Sequence, residues 1–486
     1  MSHGSYPTSS QSILQHFPYS EARAVQEQLL EKIEQNWDTT EVFVIVAPTA
    51  TGKTALIRTL QNWKYSVSAI TPTNQLVDQF LQEFPDTRTL SRLDSYHCDE
   101  WQQPCSRTRA RQRGFCRGCP CSLDLSQARF RRGPGIYNYH TYLAHKLYRP
   151  VLAVDEAHNL AHTIRDRQAI TIWWHEYQYP INSNPHVLLA WLERQSPRIR
   201  KHKKIQLLHE ALISQAPTTV IQHGYEEFNG AGTRRGQPEE RPCLRLLPVD
   251  ITAAPPMFWP RDVEKLVLLS ATISPTDIRE LGLDQRRVLY LEAASPIPME
   301  NRPVVFLPVA TLSRGGMDEG VRKVGLEINQ MAQHHWNEKG LVHATYQMAD
   351  QLRSILTGPR FMFHTRENKR QVYQEFRNRT DAPILVASGM YEGIDLPDDL
   401  GRWQVVAKVP WKSLGDAAIR YKAERDPDWY LWQAMRDLVQ ACGRIVRHPT
   451  DAGVTYILDG SFRRLLTEGQ HLIPGWFRDS LAAGKM

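Results

Sequence analysis

The sequence contains no long apolar run and no apolar leader segment. In 486 residues with 41% hydrophobic composition, no stretch reaches the roughly 18 to 20 uninterrupted apolar residues that a membrane-spanning helix requires. The first residues, MSHGSYPTSSQSIL, lack the basic region and following apolar segment that mark a secretory signal. We therefore expect a soluble intracellular protein, located in the cytoplasm or the nucleus.

Cysteine is scarce and unevenly placed. The chain has seven cysteines, and five of them lie within 24 residues: Cys98, Cys105, Cys116, Cys119 and Cys121. Small secreted domains depend on disulfides because they lack a sufficient core, whereas a chain of this length can bury several cores. In a reducing compartment, clustered cysteines more often bind a metal than pair with one another. The sequence therefore predicts a metal centre in this segment.

Charge is modest over the whole chain but strongly positive beside the cysteines. The net charge is +7, yet between Cys105 and Arg132 there are eight arginines and one acid, Asp124. Such a basic stretch is suited to the phosphate groups of a nucleic acid. A solvated basic loop is the alternative interpretation.

A phosphate-binding loop is predicted in EVFVIVAPTATGKTALIRTL. The run from Val42 to Val46 suits a buried parallel strand, and a helical pattern begins at Ala55. Backbone N–H groups of the intervening loop would hold the phosphates of ATP at the helix N-terminus. Lys53 would reach the β and γ phosphates, and the Thr54 hydroxyl would hold Mg²⁺. The sequence therefore predicts an ATP site.

This loop departs from the common pattern at two positions. Ala47 stands where the general pattern has glycine, and loops of the type APTGTGKT have glycine at the position of Ala50. An alanine is tolerated at that position if its φ stays negative. We still predict a working loop, formed by Ala50, Thr51, Gly52, Lys53 and Thr54.

An acidic pair completes the predicted ATP site. In PVLAVDEAHNL, the apolar run Val151 to Val154 predicts a buried strand, and Asp155 and Glu156 follow it. Mg²⁺ prefers carboxylate oxygen and water, so we expect Asp155 to anchor it. Glu156 is placed to orient and deprotonate the attacking water, because phosphoryl transfer requires mainly positioning and charge stabilisation from the protein.

Further segments follow in the order of the motifs of superfamily 2 helicases. Ala47 to Thr54 and Asp155 to His158 resemble motifs I and II of that superfamily. The other matching segments are PYSEARAVQEQL with Arg23 and Gln26, resembling an adenine-reading Q-like motif; AITPTNQLVDQF, resembling motif Ia; KLVLLSATIS with Ser270, Ala271 and Thr272, resembling motif III; KGLVHATYQMADQL, resembling motif IV; EGIDLPDD with Glu392, Gly393, Ile394 and Asp395, resembling motif V; and QACGRIVR with Gln440, Gly443, Arg444 and Arg447, resembling motif VI.

Motifs V and VI most resemble those of the XPD/DinG family of iron–sulfur helicases. In that family a cysteine-rich insertion lies between motifs Ia and II, where Cys98 to Cys121 stand. The resemblance implies ATP, Mg²⁺ and a [4Fe-4S] cluster as cofactors, with four of the five cysteines as cluster ligands. It also implies 5′-to-3′ movement on single-stranded DNA and unwinding of forked or tailed duplexes.

The resemblance also assigns roles across two motor halves. Arg444 and Arg447 would stabilise the charge of the transition state, and Gln440 would help to place the attacking water. Asp395 would contact either the ribose of ATP or the neighbouring arginines.

The predicted fold is α/β, with two RecA-like parallel-sheet motor domains, a small cysteine-rich iron–sulfur insertion and a mainly helical arch-like insertion. The predicted boundaries are 1–96 with 136–160 and 251–283 for the first motor domain, 97–135 for the iron–sulfur domain, 161–250 for the arch-like insertion, and 284–486 for the second motor domain.

Local patterns within these domains give further expectations. IWWHEYQY and HVLLAWLERQ predict helices, and HGYEEFNGAGTRRGQPEERPC predicts a mobile loop or the tip of a hairpin. Trp173 and Trp174 are expected in a core or a domain contact, with stacking on bases as the alternative. Trp429, Tyr430 and Trp432 are expected to pack in a core.

Two alternatives to the iron–sulfur helicase stay open. The pairs Cys98 with Cys105 and Cys116 with Cys119 could also surround a structural Zn²⁺. The motor motifs could also belong to a nucleic-acid-dependent ATPase that remodels partner complexes without separating strands.

Overall fold

The computed structural model of the protein contains two parallel β-sheets of six strands each. The structure describes residues 12–64, 66–90, 95–98, 103–104, 120–130, 133–181, 184–213, 219–228, 239–252, 263–312, 317–389 and 394–484. Within these ranges no helix is both long enough and apolar enough to cross a membrane. The two sheets confirm the predicted pair of RecA-like halves.

The first sheet carries the phosphate-binding loop and the acidic pair. Its strands, in spatial order, are Val288–Glu292, Val42–Val46, Lys265–Ser270, Val151–Val154, Val67–Thr71 and Gly135–Asn138. All adjacent strands are parallel. The four central strands are almost completely buried, which explains their continuous apolar sequences. Because three neighbouring strands end just before motifs I, III and II, those motifs meet at one edge of the sheet.

Helices cover the faces of this sheet. They are Ala24–Gln35, Lys53–Trp63, Asn74–Glu83, Tyr139–His145, Leu160–Gln168 and Pro275–Glu280, with 3₁₀ turns at Ile13–His16 and Ala157–Asn159. The predicted boundary after residue 283 is wrong. The strand Val288–Glu292 pairs with Val42–Val46 at the sheet edge, so the chain returns to the first half before it enters the second.

The second half repeats this arrangement. Its strands, in spatial order, are Val304–Ala310, Val454–Asp459, Trp403–Val406, Gly340–Ala344, Ile384–Ser388 and Phe361–Phe363, all parallel. Its helices are Met317–His334, Tyr346–Leu352, Lys369–Asn378, Ala417–Arg425, Pro427–Cys442, Phe462–Thr467 and Gly475–Ala483, with 3₁₀ turns at Met299–Asn301, Asp398–Leu400 and Gln470–Leu472. Four of these strands lie in apolar segments of the sequence, namely VVFLPV, GLVHAT, PILVAS and VTYILD.

The cysteine-rich insertion is described only in part. A short antiparallel ladder joins His97–Cys98 to Gln103–Pro104, and a helix spans Pro120–Phe130. The helix packs on the first half through Ala128, which is buried in the same core as Tyr139.

The second insertion combines helices with a small sheet. Its helices are Trp174–Tyr177, Pro185–Glu193, Pro197–Arg200 and Lys203–Ile213, and its antiparallel strands, in spatial order, are Ile170–Trp173, Glu239–Pro248 and Thr219–Phe228. The sheet was not predicted. Trp173 lies in a strand rather than a helix, because Ile170–Trp173 pairs with residues 243–246. The last two strands pair along ten residues, which fits the hairpin alternative.

The two halves meet through the helix Pro275–Glu280, directly after motif III. Trp432 donates its indole N–H to Asp277 Oδ2 at 2.7 Å, and Trp429 donates to Glu280 Oε2 at 3.0 Å. Burial alone would raise the pKa of Glu280, but the charges of Lys422 and Arg165 outweigh it and lower the pKa to about 2. The predicted burial of the two tryptophans is confirmed, and the contacts show that it occurs between the halves.

Candidate ATP site between two motor halves

The phosphate-binding loop is a tight turn with an unusual alanine. Thr51 donates its N–H to Pro48 O at 3.3 Å and its hydroxyl to the same oxygen at 2.7 Å. Ala50, at the third position of this turn, has φ of 66°. A positive φ at this position defines a type II turn and favours glycine. The condition for tolerating an alanine at this position, a negative φ, is therefore not met, and the loop is strained.

Two side chains of the Q-like segment hold this turn. Arg23 Nη1 donates to Ala50 O at 2.5 Å, and Gln26 Nε2 donates to Thr51 O at 2.9 Å. The other amide atom of Gln26 accepts the Arg23 N–H at 2.9 Å, so both polar atoms of this buried side chain bond to the protein. A Cβ on Gly52 would collide with the Gln26 amide. Apart from the hydrogen bond between them, the described side-chain hydrogen bonds of Arg23 and Gln26 go to the loop, and their contact with adenine stays a prediction.

Lys53 begins the helix that follows the loop, because Gly52 with φ of 82° turns the chain into it. Its ammonium lies 3.2 Å from Glu156 Oε1. Burial would lower the pKa of Lys53, but the charges of Glu156 and Asp155 outweigh it and raise the pKa. Burial would likewise raise the pKa of Glu156, but Lys53 and His158 lower it. Glu156 is therefore an ionised carboxylate at neutral pH, as a base requires.

Asp155 is suited to a divalent cation. Its Oδ1 is buried and has no hydrogen-bond partner among the described residues. Burial and the neighbouring charge of Glu156 raise the pKa of Asp155 to about 6. A hard cation would satisfy the unpaired oxygen and stabilise the ionised form. The residues present thus fit Mg²⁺, with Asp155 and the partly exposed Thr54 at the start of the phosphate helix as its protein ligands.

Motif III joins the acidic pair to the second half. His158 Nδ1 lies 2.8 Å from Ser270 Oγ. Two residues later, Thr272 Oγ1 accepts a hydrogen bond from Gln440 Nε2 at 2.6 Å. The sequence identified Thr272 only as part of motif III. Its contact with Gln440 could not be predicted from the sequence, because the two residues lie in different halves.

The arginines of motif VI face this site from the second half. Arg444 Nη2 donates to Gln440 Oε1 at 3.1 Å. Arg447 pairs with Asp395, which matches the second of the two contacts predicted for that carboxylate. Arg447 Nη1 also lies 3.4 Å from Thr49 Oγ1 in the phosphate loop. The predicted residues of motifs I, II, V and VI thus converge on one cleft.

Several predicted residues lie outside the described ranges. They are Glu392 and Gly393 of motif V and the cysteines Cys105, Cys116 and Cys119. For Cys98 and Cys121 the backbone is described but the side chain is not. The metal centre of this insertion therefore stays a prediction.

Family models and solved structures resemble both halves. A model described as helicase C-terminal domain matches residues 329–480, and one described as type III restriction enzyme, res subunit, matches residues 19–184. A solved structure titled XPD helicase covers 95% of this chain and 98% of its own, with a TM-score of 0.61 and 14% identity. The structure of S. tokodaii Xpd4 covers 92% and 98%, with a TM-score of 0.58 and 12% identity. These structures show the shared fold.

Sequence relatives point to the same family. ATP-dependent DNA helicase YoaA of Escherichia coli (strain K12) is 24% identical over 211 residues, which are 40% of this chain and 32% of the relative. The chain resembles the XPD/DinG-like group of superfamily 2 helicases. Regulator of telomere elongation helicase 1 of Bos taurus is 30% identical to this chain over 132 residues, which are 22% of the chain and 11% of the relative. The matched segments thus span about a third of the first relative and about a tenth of the second.

Proposed function

We propose that this chain is an ATP-dependent DNA helicase. It couples ATP hydrolysis to 5′-to-3′ movement on single-stranded DNA and to unwinding of forked or tailed duplexes. The observation that carries the proposal is the cleft itself. Lys53, Asp155 and Glu156 of the first half face Arg444 and Arg447 of the second, and hydrogen bonds join the halves across the cleft.

The residues of the cleft divide the chemistry of ATP hydrolysis. The γ-phosphate would compete with Glu156 for the Lys53 ammonium, which leaves the Glu156 carboxylate to orient and deprotonate water. Arg444 and Arg447 are held by Gln440 and Asp395 at positions from which their charges can stabilise the transition state. Bound Mg²⁺ would supply charge neutralisation at Asp155 and Thr54.

Coupling to movement follows from the contacts between the halves. Gln440 touches motif III and Arg447 touches the phosphate loop, so a change in the bound nucleotide alters contacts on both sides of the cleft. Repeated closing and opening would advance one half along the strand, which is held by phosphate contacts without sequence preference. We assign a [4Fe-4S] cluster near the point of strand separation to the cysteine-rich insertion.

The first test of this function is Glu156→Gln. Loss of the base should lower kcat for DNA-stimulated ATP hydrolysis by at least about 100-fold while ATP binding is retained. The matched control is Glu31→Gln, which changes an exposed carboxylate on the helix Ala24–Gln35 and should hydrolyse ATP at the normal rate. Equal hydrolysis by the normal protein, Glu156→Gln and Lys53→Ala would contradict the proposal.

Strand displacement tests the finer parts of the same proposal. Duplexes with a 5′ tail should be unwound and those with a 3′ tail should not, and RNA tails should stimulate hydrolysis less than DNA tails. Hydrolysis without displacement of any tailed duplex would instead favour the remodelling ATPase. Elemental analysis of protein made with iron and without oxygen should find four irons per chain, whereas zinc alone would refute the iron–sulfur assignment.

A further inference from the structure

The turn at the acidic pair has an unfavourable backbone conformation. Glu156 has φ of 50° and ψ of 46°, the left-handed region that residues with a Cβ seldom adopt. Such conformations persist where the surroundings hold them, and they concentrate at functional sites. The carboxylate of Glu156 lies 3.2 Å from Lys53 and 3.4 Å from His158, so relaxation of this turn would move it away from both.

A buried hydroxyl bonds to this turn. Tyr139 has no exposed surface, and its hydroxyl donates to Asp155 O at 2.5 Å and lies 3.0 Å from Glu156 O. One hydroxyl proton is thus shared by the carbonyls of two successive residues. The Asp155 carbonyl belongs to the peptide unit before the Glu156 Cα, and the Glu156 carbonyl belongs to the one after it. Because the hydroxyl bonds to both peptide units, it fixes the conformation of Glu156.

Tyr139 also links the turn to another motif. It is the first residue of the helix Tyr139–His145, directly after the strand Gly135–Asn138. The preceding residue, Asn138, donates from its side chain to Asn74, which lies within motif Ia at the start of the helix Asn74–Glu83. Two adjacent residues therefore contact motif Ia on one side and the acidic pair on the other.

We infer that Tyr139 is a positioning residue for the hydrolysis step, which holds Glu156 where it can activate water. This inference rests on the proposed function, because it assigns a role within ATP hydrolysis. Tyr139 does not contact the phosphate loop in the described structure, and its effect should therefore fall on the chemical step rather than on ATP binding.

The variant that tests this inference is Tyr139→Phe, in the full-length chain. It keeps the ring and its packing and removes only the hydroxyl. We expect kcat for DNA-stimulated ATP hydrolysis to fall about 10-fold, with the KM for ATP and the Kd of a non-hydrolysable ATP analogue within about 2-fold of normal. Normal analogue binding would also show that the variant is folded.

The chain provides a matched control on the same helix. Tyr142 is also fully buried, and its hydroxyl has no hydrogen-bond partner among the described residues. Tyr142→Phe therefore removes an equally buried hydroxyl from the same core without removing a contact to the acidic pair. Its kcat and KM should both stay within about 2-fold of normal.

The outcomes separate this inference from the proposed function. A kcat of Tyr139→Phe equal to that of the normal protein would overturn the inference, and so would an equal loss in Tyr142→Phe or a rise in KM without a fall in kcat. Each of these results leaves the proposed function standing if Glu156→Gln is inactive. A normal protein without ATPase activity would overturn the proposed function, and this inference with it.

Discussion

The phosphate loop and the acidic turn face each other in one site, and each contains a residue with a side chain in a glycine-like conformation. Ala50 has φ of 66° and Glu156 has φ of 50°. The two turns are held differently. The exposed Arg23 and the buried Gln26 hold the loop, whereas the fully buried Tyr139 holds the acidic turn.

The difference follows from what each residue contributes. Glu156 must carry a carboxylate, so glycine cannot replace it and the surrounding core must hold the strain. The methyl group of Ala50 has no chemical role in hydrolysis, so glycine can replace alanine at this position. Because glycine adopts a positive φ readily, the turn would then depend less on Arg23 and Gln26. The strain at Ala50 can therefore be relieved by mutation, whereas the strain at Glu156 is inseparable from function.

The largest effect on the loop should come from Gln26→Ala. This change leaves the buried Thr51 carbonyl and the Arg23 N–H without their partners, at a cost of about 1–3 kcal/mol. We expect the KM for ATP to rise about 10- to 100-fold with a smaller change in kcat, in steady-state assays. This is the reverse of the pattern expected for Tyr139→Phe.

A companion variant separates the two bonds of Gln26. Gln26→Glu keeps an oxygen that accepts the Arg23 N–H but removes the donor to Thr51 O. If the bond to the loop matters, this variant should also raise the KM for ATP. A normal KM in Gln26→Glu would show that Gln26 acts only by capping its own helix.

A smaller effect is expected for Arg23→Ala, because the lost bond to Ala50 O is exposed to solvent. The KM for ATP should rise about 3- to 10-fold. In the background of Ala50→Gly, the same substitution should raise KM by less than about 2-fold, since glycine adopts the turn without support. If Arg23→Ala raised the KM for ATP equally in both backgrounds, Arg23 would not act by supporting the strained conformation of Ala50.

Local signals predicted the central elements of the site. Each of these elements lies within a short segment whose composition dictates its conformation. They are the apolar strands, the loop before Lys53 and the acidic pair after Val154. The cleft itself was predicted through the resemblance, because the approach of Arg447 to the phosphate loop joins positions about 400 residues apart.

The supporting contacts could not be predicted in the same way. The sign of φ at Ala50 depends on the turn that Pro48 and Thr51 close, and the partner of the Tyr139 hydroxyl is a backbone atom, which leaves no trace in side-chain patterns. The strand containing Trp173 was missed for a related reason, because its partner strand lies about 70 residues later. Tertiary pairing decided its conformation over local preference.

The smallest predicted effect is that of Ala50→Gly alone. Relief of the left-handed conformation should contribute about 1–2 kcal/mol, and the greater freedom of glycine in the unfolded chain should offset about 0.5–1 kcal/mol of it. The net gain of up to about 1.5 kcal/mol corresponds to a rise in Tm of at most about 1–2 °C for a chain of 486 residues, measurable by calorimetry with and without an ATP analogue. Because the turn already has the geometry that glycine prefers, kcat should not change. A fall in Tm would mean that the Ala50 methyl contributes more through its packing beside the core of the second half than its backbone strain costs.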